Sequence, residues 1–282
     1  MSAADALRRM MIGEVRSFFH DTAKGDGPVM RSDDALLPRD SVAWRVHGDV
    51  MGMMIGGVSA LLLQMLHPAA LAGVWDFSNF RQDMHGRLRR TAGFIAVTTY
   101  AERARAEAAI ARVRAIHAQV QGNLPDGTPY RADDPHLLAW VHAAESLSFL
   151  KAWQRYGDPR ISAADQDAYF AQTAYVARAL GADPVPETRA EMEALLDSYR
   201  PELRADNRSA EVARLVLRQP PQKLALAPVQ TLVMQAAVDL LPGWARDMHG
   251  LRVPRLTQPA FRGAARGIAG TLRWAFAAPT QG

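Results

Sequence analysis

The sequence predicts an all-α protein in which residues 1–282 form a single large helical domain. Alanine is abundant, runs of β-branched residues are short, and apolar residues recur mostly at the three- and four-residue spacing of a helix. A helical domain of this length buries most of its chain surface, so a sizeable core is available. The chain contains no internal repeat and no linker long enough to indicate a second domain.

The first predicted helix covers residues 3–20 and is followed by a polar loop, rich in Gly, Pro and Asp, over residues 23–40. A short helix then leads into a strongly apolar helix over residues 51–67. We expect Pro68 to end or kink this helix, because a residue that precedes proline disfavours the α conformation.

Two further segments are predicted to connect helices. Residues 75–83, WDFSNFRQD, form a connector or a short helix in which Asp76 and Ser78 are possible caps. Residues 122–135, GNLPDGTPYRADDP, have the composition of turns and show no helical period.

The segment 86–121 reads as one helix, which would be unusually long for a globular domain. The motif TYAE offers a break, since Thr99 at an N-cap and Glu102 three residues later form the pattern of a capping box. We therefore predict one helix over 86–98 and a second over 100–121.

The remaining helices are bounded by proline and by capping residues such as Ser162. They are predicted at residues 134–156, 162–180, 187–200, 208–218, 223–240 and 258–277.

The apolar helix over 51–67 raises the question of a membrane span. Gln64, His67 and Pro68 interrupt the run before it reaches about 20 residues, and a helix apolar on all sides also suits the centre of a large domain. We favour a buried helix. The N-terminus carries no apolar stretch of the kind that a signal peptide needs. We expect a cytoplasmic protein without stable transmembrane anchoring, for which peripheral contact with a membrane stays possible.

Composition excludes several classes of protein. The formal charge is +4, but the arginines are spread along the chain among acidic residues, so we expect no nucleic-acid partner. The absence of cysteine excludes disulfides, zinc–thiolate sites, Fe–S clusters and thiolate-ligated haem. The zinc helix HExxH, the GxSxG elbow, the P-loop and the Glu-x-x-His pattern of di-iron bundles are also missing.

Three histidines lie in apolar helical surroundings, namely His67, His117 and His142. A core histidine hydrogen-bonded to its neighbours is the ordinary interpretation, and an axial ligand to haem iron is the sharper one. His117 is the best ligand candidate because it lies beside an apolar stripe that includes Val113 and Ile116. One imidazole in an apolar wall holds a lone metal ion weakly but can complete the coordination of haem iron.

Haem b also carries two carboxylates that need partners when they are partly buried. Arg87 and Thr91 are four residues apart and share one helix face, with Thr98 on the same face. Arginine suits the recognition of a carboxylate and threonine adds a hydroxyl donor. The simpler interpretation is that Arg87 is a surface arginine and that Thr91 supplies a hydroxyl near the start of a helix. We expect Arg89 to be a surface charge.

The ordered series LLLQMLHPAALAGVWDFSNF, RLRRTAGFIAVTTY, RVRAIHAQVQG and DGTPYRADDPHLLAWVH resembles the domain shared by latex-clearing proteins (rubber oxygenases) and mpaB-type oxygenases, over about residues 45–250. The resemblance implies an all-helical haem b protein with a globin-like core. It implies that His117 is the proximal iron ligand, that Arg87 and Thr91 lie next to the haem, and that Arg90 takes the place of a lysine that caps the distal side. Arginine stays protonated and rarely ligates iron. No carboxylate clearly matches the catalytic base of the rubber oxygenases, and we assign no catalytic residue.

We therefore expect a haem b oxygenase that uses dioxygen or peroxide to oxidise an unidentified apolar small molecule. The helix over 51–67 and four aromatic residues, Trp75, Phe77, Phe80 and Trp140, would supply the pocket walls, although burial in the core is the more ordinary interpretation of each. The alternatives are a non-catalytic haem-binding or gas-sensing protein, and a helical module without a cofactor. The axial ligand, the substrate, the electron donor and the oligomeric state stay open, since His67 or His142 could replace His117.

Overall fold

The computed structural model describes residues 3–19, 27–221, 223–254 and 256–277. This part of the chain contains thirteen α-helices and one small hairpin, so the predicted all-α class is confirmed. The helices are α1 Ala3–Phe19, α2 Val42–His47, α3 Val50–Gln64, α4 Pro68–Phe77, α5 Met84–Tyr100, α6 Arg103–His117, α7 Pro135–Ala152, α8 Ala163–Leu180, α9 Arg189–Ser198, α10 Asn207–Leu217, α11 Ala227–Leu240, α12 Gly243–Met248 and α13 Gln258–Phe276.

The centre of the fold is α3, the apolar helix, which packs against α7 and α11. Most of its residues are buried, as expected for a helix that is apolar on every side. Gly56 permits the close approach of α7, because a Cβ atom at this position would lie 2.7 Å from Phe149 Cδ1. Among the described helices none is by itself long and apolar enough to cross a membrane; α3 and α4 pass that test only together, and they are bent by 105°.

The break between α5 and α6 differs from its prediction. α5 runs through Thr99, whose hydroxyl donates to the Ile95 carbonyl at 2.7 Å instead of capping α6. Glu102 is the N-cap residue of α6, and its side chain makes no cap hydrogen bond. The predicted break is present, but the predicted capping box is wrong.

The loop before α2 determines where this break falls. The Ser32 amide donates to the Tyr100 carbonyl at 2.9 Å, and the Arg103 amide donates to the Asp34 carbonyl at 2.7 Å. These bonds satisfy backbone groups that a continuous helix would pair internally. A distant segment, and not the local sequence, therefore ends α5.

The connector over 122–135 contains the hairpin, which the turn-like composition did not predict. β1, Gln121–Asn123, pairs antiparallel with β2, Pro129–Arg131, and Gly127 adopts a left-handed φ of 87° in the turn. Strands of three residues are too short to show an alternating pattern.

The predicted caps over 75–83 are also corrected. Ser78 is the C-cap of α4, and Asp76 accepts a hydrogen bond of 2.7 Å from the Tyr130 hydroxyl. The N-cap of α5 is Asp83, whose carboxylate accepts from the Gly86 amide at 2.7 Å. A Cβ at Gly86 would lie 1.8 Å from that carboxylate, so the cap requires glycine at this position.

The later helices appear where they were predicted, with shifted ends. α7 passes into a π-helical turn, Trp153–Gly157, and α11 is preceded by a 3₁₀ turn, Leu224–Leu226. The short helix α12 was not predicted, because it follows Pro242, which we read only as punctuation.

Candidate functional site

Two cavities adjoin at the centre of the helical bundle. The large cavity has a volume of about 340 Å³ and is lined by side chains of α1, α3, α5, α7, α11 and α13. The small cavity encloses about 120 Å³ between α2, α5, α6, α7 and α8. Three residues, Ile95, Glu145 and Phe149, line both cavities and form the wall between them.

The large cavity is mostly apolar and rich in methionine. Met51, Met54 and Met234 line it together with Leu61 and other aliphatic residues. Methionine is unbranched and adapts its shape to a ligand. The expectation that the helix over 51–67 supplies pocket walls agrees with this lining.

Arg87 and Thr91 both line the large cavity. Arg87 is largely buried, and burial together with the charge of Arg90 lowers its pKa to about 10, so the guanidinium stays cationic at neutral pH. It donates a long hydrogen bond, 3.4 Å, to the Ser78 hydroxyl, and no carboxylate among the described residues pairs with it. The Thr91 hydroxyl donates to the Arg87 carbonyl at 3.3 Å. A buried cation without a carboxylate partner favours an anionic ligand group.

The two neighbouring arginines do not follow their expectations. Arg89 was expected on the surface, yet it is half-buried and lines the large cavity. Arg90 lines neither cavity; it is exposed, donates to Asn79 Oδ1 at 3.2 Å, and lies 3.6 Å from the Asp83 carboxylate. Its predicted distal position stays a prediction.

His117 is the last residue of α6 and lines the small cavity. It lies three turns after Ala106 on the buried face of α6, whereas Ile116, which was expected in the apolar stripe, is 52% exposed. The Nδ1 atom of His117 is buried and has no hydrogen-bond partner among the described residues. Burial lowers the pKa of this imidazole, so its neutral form, which can ligate a metal, predominates.

His142 lines the same small cavity from α7. Its Nδ1 atom lies 3.2 Å from the Ser146 hydroxyl, and its Nε2 atom is buried without a partner in the described part of the chain. Burial lowers its pKa to about 4. An imidazole oriented through one nitrogen and free at the other has the arrangement usual for a metal ligand.

His67 has a structural role and lines neither cavity. It is the N-cap of α4, where its Nδ1 atom accepts from the Ala69 amide at 3.2 Å. Its Nε2 atom lies 3.5 Å from Glu202, which is an ion-pair distance and longer than a good hydrogen bond.

Sequence reasoning missed two polar groups of the small cavity. His47 bonds through Nδ1 to the Thr99 hydroxyl at 2.8 Å and through Nε2 to the Tyr169 hydroxyl at 3.0 Å. Glu145 is the single acidic residue of α7, and burial raises its pKa to about 7. A lone carboxyl in an otherwise apolar helix is the signal that could have identified Glu145, because such a group is costly to bury without a function.

The four aromatic residues expected in the pocket walls line neither cavity. Trp140 and Phe80 are fully buried in the core, and Phe77 is 54% exposed. The expectation was wrong because aromatic residues next to a pocket motif in sequence face other neighbours in space.

Across the ranges that the structure describes, no group of three His, Asp or Glu side chains is arranged to hold a metal ion.

The chain was also compared with known proteins. Residues 44–274 match the family model described as "ER-bound oxygenase mpaB/B'/Rubber oxygenase, catalytic domain". No curated protein and no solved structure matches the chain. Since the match covers far more than half of the chain, the chain belongs to the family of mpaB and rubber oxygenase catalytic domains.

Proposed function

We propose that this member of an oxygenase family binds haem b and oxidises an apolar small molecule in the large cavity. The observation that carries the proposal is that two unsatisfied groups line two adjoining cavities. These are a neutral imidazole nitrogen in the small cavity and the buried Arg87 guanidinium in the large one.

The donor set suits haem b. An imidazole without a partner matches the axial position of the iron, and a buried guanidinium matches a haem carboxylate. His117, which the family resemblance favours, would hold the iron, with His142 as the second candidate. Arg87 would pair with a carboxylate, and Thr91 would lie on the same face of α5.

The chain's own residues then define the reaction space. Haem b, when bound, would supply the activation of dioxygen or peroxide. The Met-rich walls of the large cavity would hold an apolar molecule through the burial of apolar surface. The neutral imidazoles of the small cavity, His47 and His142, have pKa values lowered to about 4 and carry no competing charge at neutral pH.

Absorption spectra of the purified protein test the haem step. After expression with added haem precursor, we expect a Soret band in the oxidised state that shifts on reduction and again on addition of CO. A colourless protein would contradict haem binding.

Oxygen consumption tests the catalytic step on the same sample. With a reductant and a panel of apolar small molecules, we expect consumption above the rate of the protein alone. A Soret band without consumption for any compound would instead favour the non-catalytic haem-binding or gas-sensing protein.

A further inference from the structure

The carboxyl of Glu145 lies in the wall shared by the two cavities. Burial is the single cause of its raised pKa, and no hydrogen bond or ion pair of the described residues engages its oxygens. A carboxyl without a hydrogen-bond partner in an apolar setting lowers the stability of the protein. For this reason, unpartnered carboxyls are rare in protein cores. Such a group is suited to a polar partner that arrives with the ligand.

The remaining charges around the large cavity indicate the chemistry of that partner. Arg87 and Arg89 line the cavity, and Glu14, which also lines it, pairs with Lys223 at 2.7 Å. The Arg87 guanidinium, which has no carboxylate partner among the described residues, disfavours a cationic ligand in the same space. A carboxylate ligand would be drawn to Arg87 and would be repelled by any ionised Glu145.

A neutral hydroxyl is the group that complements Glu145 best. A protonated carboxyl both donates and accepts a hydrogen bond, and an alcohol does the same, so one group satisfies both of its oxygens. The pKa near 7 supports a protonated carboxyl at and below neutral pH. The rest of a ligand would lie against the apolar side chains of Met51, Leu61 and Val233.

The size of the cavity agrees with a small amphiphile. About 340 Å³ lies at the lower end of the range for small-molecule pockets, roughly 300–1,000 Å³. A cavity of this volume accommodates a short aliphatic chain with one hydroxyl group. It is too small to enclose a whole polymer.

We propose that Glu145 is a specificity-determining residue that binds the hydroxyl group of an apolar alcohol whose aliphatic part fills the large cavity. The inference rests on the proposed function only in taking this cavity as the substrate cavity. It names a substrate class, a neutral long-chain alcohol, for that site.

Titration calorimetry at pH 6 with the full chain tests the proposal. The probes are four hexyl compounds: 1-hexanol, 1-chlorohexane, hexylamine and hexanoate. We expect hexanol to bind about tenfold more tightly than chlorohexane, as one buried hydrogen bond predicts. Stronger binding of hexylamine than of hexanol, or binding of hexanol no tighter than that of chlorohexane, would overturn the proposal. Hexanoate reports on Arg87 instead, because this cation attracts a carboxylate.

Two variants of Glu145 identify the group responsible. Glu145→Leu should lose the tenfold preference for hexanol and bind chlorohexane within about twofold of the unsubstituted protein. Glu145→Gln, whose amide also donates and accepts, should retain most of the preference. The matched control is Gln230→Leu, which removes a polar group that lines the cavity but already donates to the Gln219 carbonyl at 2.7 Å. A preference that survives in Glu145→Leu, or is lost equally in Gln230→Leu, would overturn the assignment.

The same samples separate this proposal from haem binding. A protein without a Soret band that still shows the Glu145-dependent preference contradicts the haem proposal alone. A protein with a Soret band that binds hexanol and chlorohexane equally contradicts the alcohol proposal alone.

Discussion

At the scale of single residues, two of the three imidazoles that line the small cavity, His117 and His142, have a ring nitrogen without a partner among the described residues, and they differ in their other contacts. His142 is oriented by Ser146 through one nitrogen, whereas the buried Nδ1 of His117 has no partner among the described residues. Both are neutral at physiological pH, because burial lowers the pKa of each. The geometry therefore allows either residue to ligate iron, and only the family resemblance favours His117.

We predict that His117→Ala loses or shifts the Soret band, since it removes the proposed axial ligand, while His142→Ala leaves the band largely intact. Absorption spectra of the two variants in oxidised and reduced forms make the comparison. His47→Ala serves as a control, because both nitrogens of His47 are already hydrogen-bonded. The opposite pattern would assign the ligand to His142.

Some residues of the site could be predicted from the sequence and others could not. Arg87 and Thr91 were singled out from a four-residue spacing, and both line the large cavity. Glu145 was not singled out from the sequence, because its importance depends on two cavities that meet at α7. Exposure of Arg89 was expected from charge alone, and the neighbouring helices decided otherwise.

At the scale of helices and their ends, two capping patterns had different outcomes. The Thr99 and Glu102 pattern is not a capping box, whereas Thr188 and Glu191 form one at the start of α9. The Thr188 hydroxyl accepts from the Glu191 amide at 3.2 Å, and the Glu191 carboxylate accepts from the Thr188 amide at 3.1 Å. Thr99 is instead buried and bonded to His47, so tertiary packing overrides its local preference.

We predict that Thr188→Ala lowers the free energy of unfolding by about 1 kcal/mol, because it removes an N-cap acceptor. Glu102→Ala should change it by less than about 0.5 kcal/mol, since this side chain makes no cap bond. Urea unfolding followed by circular dichroism measures both. A larger loss for Glu102→Ala than for Thr188→Ala would show that the first pattern caps α6 after all.

At the scale of the whole molecule, buried carboxylates connect helices that are distant in sequence. Asp239 of α11 accepts hydrogen bonds from Arg155, Arg262 and Gln258, which joins α11 to the π-helical turn and to α13. Arg273 of α13 donates to Asp49 at 2.8 Å, next to the start of α3. Removing one member of such a buried pair leaves an uncompensated charge, so these bonds hold α13 against the core.

Glu145 also makes stability depend on pH. Its folded pKa, about 7, is raised above the ordinary value of 4.5. Between these values the folded protein binds a proton that the unfolded chain has lost, so stability falls as pH rises from about 4.5 to 7. His47 and His142 have lowered pKa values and therefore the opposite effect. Through them the protein loses stability as pH falls from 6.5 towards 4.

We compare the free energy of unfolding of Glu145→Gln with that of the unsubstituted protein. As pH rises from 5 to 8, we predict that this difference changes in favour of the variant by on the order of 2 kcal/mol. The reason is that glutamine removes the penalty of ionising a buried carboxyl. Thermal unfolding at several pH values gives the difference, which should stay flat below about pH 4.5, where the carboxyl is protonated in both states. A difference independent of pH throughout would show that Glu145 is not buried as described.

The sequence by itself determined the helical class, the position of nearly every helix, the apolar helix at the centre and the family. These follow from periodicity, caps and an ordered series of motifs, which are local properties of the chain. Only the tertiary structure decided where α5 ends, which of three histidines lie in one cavity, and that Glu145 faces the same space as Arg87. The physical reason is that these features depend on contacts between residues about 50 or more positions apart, as between Tyr100 and Ser32 or between His47 and Thr99, and local spacing carries no record of such contacts.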